Sequence, residues 1–163
     1  MAKVVRDALR AQRGSLERLI ERVPGFRGYL GREQRREADK LLRDHGAARL
    51  ERVVRDLNGA IAKASLEEIG EHQELVTQVE KLRAELRFAD RGYSGFFDDV
   101  KLDGHAALDA VYAQDERIVL QVEEIAAQVA EPEFSPAKLR GSVKRLGLAL
   151  ADRRNAILGL GSR

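Results

Sequence analysis

Apolar positions recur along this chain at intervals of three and four residues, and nowhere alternate for long. Val5, Leu9, Leu16, Leu19, Ile20 and Val23 fall within about 100° of arc at 100° per residue, which predicts an amphipathic helix over about 3–22. Pro24-Gly25 ends it. A second helical stretch, about 32–64, changes face along its length. Ala38, Leu41, Leu42 and His45 share one stripe, whereas Leu50, Val53, Leu57, Ile61 and Ala64 centre about 100° further round. Gly46 sits at the change. A glycine there costs about 1 kcal/mol relative to alanine, so a continuous helix with a kink is expected.

Ser65-Leu66-Glu67-Glu68 is a capping box, in which serine and glutamate satisfy free amides reciprocally. It opens a third helix, 66–88, with a stripe of Ile69, Leu75, Val76, Val79, Leu82 and Leu86. The fourth, 104–130, buries Leu108, Val111, Ile118, Val119, Val122, Ile125, Ala126 and Val129, and Pro132 stops it. Ser135-Pro136 supplies an N-cap with proline at the first helical position. The fifth helix, 136–158, places Leu139, Val143, Leu146, Leu150 and Ile157 within about 60° of arc. The pattern predicts an all-α fold: an elongated antiparallel bundle of about five long helices with coiled-coil-like packing, forming one domain over 1–163. Its narrow stripes leave dry surface for a second subunit, so self-association is expected, with a homodimer favoured.

Composition sharpens the fold class. Of 163 residues, 34% are charged, tryptophan is absent and Thr77 is the single threonine, which leaves little strand-forming material. With no cysteine there is neither a disulfide framework nor a thiolate metal site. Charges interrupt the opening MAKVVRDALR, unlike a secretory leader, and no apolar run approaches a membrane span. A cytoplasmic location is the expectation. The net charge of +2 conceals a strong asymmetry. Residues 1–64 carry 16 basic and 9 acidic groups, 65–134 carry 6 and 17, and 135–163 carry 7 and 1. An acidic middle folded against two basic ends neutralises itself, which is favoured over an external acidic or nucleic-acid partner.

Spacing excludes several chemistries. No glycine precedes a lysine, so there is no phosphate-binding loop of the Gly-Lys-Ser/Thr kind. His45, His72 and His105 stand alone, and none has an acidic residue three positions earlier, as di-iron bundles require. Asp99 to Gly104 resembles the start of a calcium loop, but Lys101 and Ala110 occupy ligand positions. Gly92-Tyr93-Ser94-Gly95 lacks the pattern and the strand of a nucleophile elbow. No catalytic residue, cofactor site or metal site is identified, and an enzyme is disfavoured.

Two features could carry function. Asp115 lies inside the fourth stripe, His72 inside the third, and Arg83 at the third's edge. A hairpin of helices three and four would bring Asp115 level with Arg83. Arg83 is therefore its expected partner, with a histidine second, because an unpaired buried carboxylate is costly. A register-fixing ion pair outweighs a functional polar site there. The glycine-rich turns carry Phe26 and Tyr29 at one junction and Tyr93, Phe96 and Phe97 at another. They either plug one end of the bundle or form a docking surface for a partner. Lys138, Arg140, Lys144, Arg145, Arg153 and Arg154 surround the last stripe rather than forming one ridge, with no interleaved stacking aromatics. The sequence thus reads as a non-enzymatic helical interaction or scaffold protein, its partner itself or another protein. The alternative is a regulatory or architectural protein whose basic ends touch nucleic acid or an anionic membrane surface, both disfavoured as partners.

Overall fold

The computed structural model describes residues 14–29, 34–88 and 105–161. All its regular elements are helices: α1 (residues 14–22), α2 (Arg35–Ile61), α3 (Leu66–Phe88), α4 (His105–Ala130) and α5 (Pro136–Gly161). No strand occurs among the described residues. The part of the first helix predicted over 3–13 lies outside them.

The caps form in part: the glutamate half of the capping box is made, and Ser65 answers through its backbone carbonyl. Glu68 Oε2 accepts from the Ser65 N–H at 3.1 Å, and Ser65 O accepts from the Glu68 N–H at 3.0 Å. Ser135 Oγ accepts from the Lys138 N–H at 3.3 Å, opening α5. Gly25 follows α1 with φ +84°, a left-handed conformation that costs glycine little. α2 runs unbroken through Gly46, where a Cβ would lie 3.2 Å from Leu86 Cδ1. The missing side chain lets α3 approach, and the change of stripe reflects a change of neighbours along one helix.

Four helices stand round a common core in the order α2, α3, α5, α4. The short turns at 62–65 and 131–135 make α2–α3 and α4–α5 antiparallel hairpins. Across the two remaining seams the helices run parallel. Asp39 and Asp115 share Arg153 while Arg49 meets Glu123, so numbering rises together on α2 and α4. Glu71 pairs with Arg140 and Leu82 reaches Gly147, so it rises together on α3 and α5. Consecutive α3 and α4 stand at a diagonal, not as a packed hairpin.

The core has two clusters. The larger takes residues from α2–α5, among them Leu50, Leu57, Leu75, Val79, Ile118, Ile125, Leu139 and Leu146. The second lies where α1 crosses the α2/α4 seam, and joins Leu19, Val23, Phe26 and Tyr29 to Leu42, Val111, Tyr112, Val119 and Ile157. The acidic middle meets basic residues from both ends in the pairs Arg18–Glu116, Arg22–Glu123, Arg140–Glu71 and Arg145–Glu124. No described helix is long and apolar enough to cross a membrane.

Candidate functional site

Charge is drawn into the interior at one place. α2 presents Asp39 and Arg43 one turn apart, α4 presents Asp115, and α5 presents Arg153, all 3% exposed or less. Arg153 Nε donates to Asp115 Oδ1 at 2.6 Å and its Nη2 donates to Asp39 Oδ1 at 2.5 Å. Arg43 Nε donates to Asp39 Oδ2 at 2.8 Å, and Arg43 Nη1 donates to the Leu86 and Arg87 carbonyls at 2.9 Å. Those carbonyls end α3, where backbone acceptors lack intrahelical partners. From the α1–α2 connection, Tyr29 Oη donates to Asp115 Oδ2 at 2.6 Å.

An aromatic layer roofs these charges. The Tyr29 and Tyr112 rings stack at 5.4 Å, and Phe26 meets both edge-on. The Tyr29 N–H donates to Tyr112 Oη at 2.8 Å. This approach depends on Gly28, whose φ is +89° and whose Cβ, if present, would lie 2.7 Å from that oxygen.

Among the described residues two carboxylates face two guanidiniums, so their charges balance. Burial pushes the Asp115 carboxyl upward against the opposing pull of Arg153 and Tyr29. Burial by itself would lower Arg153, but Asp115 and Asp39 outweigh it and raise the guanidinium well above its ordinary value. Burial and Asp115 hold the Tyr29 phenol protonated, as its donated hydrogen bond requires. Such a cluster makes the helices mutually dependent, since removing any member strands a buried charge. Among the described residues no three His, Asp or Glu side chains are grouped to hold a metal.

The expected partnership of Asp115 with Arg83 is replaced by one with Arg153 and Tyr29. Arg83 stays half-buried on α3, which stands diagonally from α4. The register argument failed because it assumed that consecutive helices pack side by side. His72 is buried elsewhere, about 20 Å along α3 from Leu86. Its Nδ1 lies 2.7 Å from the Glu68 carbonyl, an acceptor only, and its ring meets Phe134 edge-on at 5.1 Å. Phe26 and Tyr29 are 2% exposed and belong to the core, so they form no docking surface. Tyr93, Phe96 and Phe97 lie outside the described residues. Asp39, Arg43, Tyr112 and Arg153 were not foreseen as members. Arg153 did carry a signal, because it falls between Leu150 and Ile157 on the dry stripe of α5.

Surface chemistry gathers on the side away from α1. The α3/α5 seam opens into a cleft of about 1060 Å³. Leu82, Leu86, Val143 and Leu150 line it, with Phe88 and Leu148 at its mouth, 55% and 52% exposed. Along α5, Arg140, Lys144, Ala151 and Arg154 recur at helical spacing on the lining face, and Lys81 faces them from α3. Three of the six α5 cations thus share one face, while Arg153 is buried and Arg145 turns to Glu124. Lys81, Lys144 and Arg154 are exposed and make no ion pair among the described residues. Glu85 is the one acidic residue among the described residues lining the cleft. No family model, curated protein or solved structure matches this chain.

Proposed function

We propose that this chain is a non-enzymatic interaction module that receives a helix in the seam between α3 and α5. The observation behind this reading is the exposure of Phe88 and Leu148 at the mouth of an apolar cleft rimmed by exposed cations. Exposed apolar side chains gathered at a concave site and ringed by charge are the usual surface of a protein contact. The ionic cluster beneath serves as scaffold, since its charges answer one another. A second copy of the chain or a different protein would satisfy this reading equally. Contact of the basic ends with nucleic acid or anionic lipid is less well supported, because Arg18 and Arg22 of α1 face Glu116 and Glu123.

A photo-crosslinking side chain placed at position 148 and, as control, at exposed position 55 on α2 tests the reading in native extract. Discrete protein adducts at 148 and none at 55 are expected. Equal or absent labelling at the two positions would overturn it.

A further inference from the structure

We infer that the occupant of the α3/α5 cleft is an amphipathic helix with acidic flanks, a deduction that rests on the reading of this seam as a docking site. The molecule carries a template for such an arrangement on its other side. There, the α2/α4 seam is already filled by a helix, α1, which inserts Leu16, Leu19 and Val23 at positions i, i+3 and i+7. On its flank α1 bears Arg18 and Arg22, which face Glu116 and Glu123 on the seam's rim. Apolar anchors fix the depth of insertion and opposite charges fix the partner.

The α3/α5 seam repeats that geometry with the charges reversed. It too lies between parallel helices, and its floor is apolar, but its rim carries Lys81, Lys144 and Arg154 without acidic partners among the described residues. A basic helix such as α1 from a second copy would meet like charge there, at a cost in affinity. A helix with leucine-type anchors and glutamates or aspartates beside them would meet complementary charge. The lining of α5 runs from Arg140 to Asn155, about 22 Å, which sets the occupant at about four turns.

The test uses the full-length chain and two fluorescent peptides of about 16 residues with one leucine pattern at i, i+3, i+4 and i+7. One carries glutamates on its flanks, the other lysines. Anisotropy should show the acidic peptide binding at least about tenfold more tightly than the basic one at low salt, a gap that narrows as salt screens the rim. Leu148→Asp should weaken the acidic peptide by about tenfold or more while leaving the circular dichroism spectrum unchanged. The double variant Lys144→Glu, Arg154→Glu should reverse the preference between the peptides. Equal affinity for both peptides, or binding indifferent to Leu148→Asp, overturns the inference. Neither peptide binding while crosslinks still gather at position 148 would sink the acidic-helix assignment alone; crosslinks without localisation would sink the docking site itself. Concentration-dependent dimers abolished by Leu148→Asp, with no peptide bound, would give the seam to a second copy and again overturn the assignment.

Discussion

The two seams of this bundle are built alike and finished differently. Both join parallel helices from neighbouring hairpins. Over α2/α4 the chain lays α1, whose Leu19 and Val23 are completely buried and whose arginines meet glutamates. Over α3/α5 the described chain lays nothing comparable, and Leu148 stands half-exposed above Leu82 and Val143. The difference teaches where stability is concentrated and where the surface is free to do something else. Residues on the covered seam are bound into the fold by burial, whereas those at the mouth of the open seam can change with little consequence for folding.

The ionic cluster links the two sides, because Arg153 lines the open cleft yet holds Asp39 and Asp115 against the covered one. Arg153→Met should therefore have the largest effect. It leaves Asp115 in the interior without its cation, and Asp39 with Arg43 alone, and should cost about 3–5 kcal/mol in urea denaturation. A loss below about 1 kcal/mol would mean that the cluster does not couple the helices. The direct comparison follows: Leu19→Ala should cost about 2–5 kcal/mol, and Leu148→Ala should stay within about 0.5 kcal/mol by the same measurement. Equal costs would erase the distinction between the seams.

The smallest effect concerns pH. His45, on α2 near Arg49, Arg52 and Glu123, has a buried Nε2 without a hydrogen-bond partner. Burial first and Arg49 second lower its pKa, against an opposing pull from Glu123 and with a smaller contribution from Arg52. A lowered histidine contributes its full stability above its unfolded pKa. That contribution is lost as pH falls through the unfolded pKa of about 6.5 and on through the lowered folded one. The difference in melting temperature between the native chain and His45→Gln should shrink across that window. A constant difference would show that His45 titrates normally.

The elements themselves were legible because they depend on local chemistry. A period of 3.6, the glutamate half of the capping box at Ser65–Glu68 and the Ser135-Pro136 start act over a few residues, and each is realised where the sequence places it. The buried position of Asp115 was legible for the same reason, since it falls on a dry stripe. Its partners were not. Arg83 and Arg153 lie at similar separations from Asp115 along the chain, yet Arg83 stands on the diagonal helix and Arg153 is in contact.

What the sequence by itself determined is therefore the helical character of the described elements and the face each turns inward. Which helices become neighbours is decided only by tertiary packing, because many arrangements bury the same stripes. The observed order sets α3 diagonal to α4, gathers Tyr29, Asp39, Arg43, Asp115 and Arg153 into one cluster, and leaves the α3/α5 seam uncovered among the described residues. The cleft follows from that order, since a stripe too narrow to wrap its neighbours covers one side of a helix and leaves the next side to whatever comes against it.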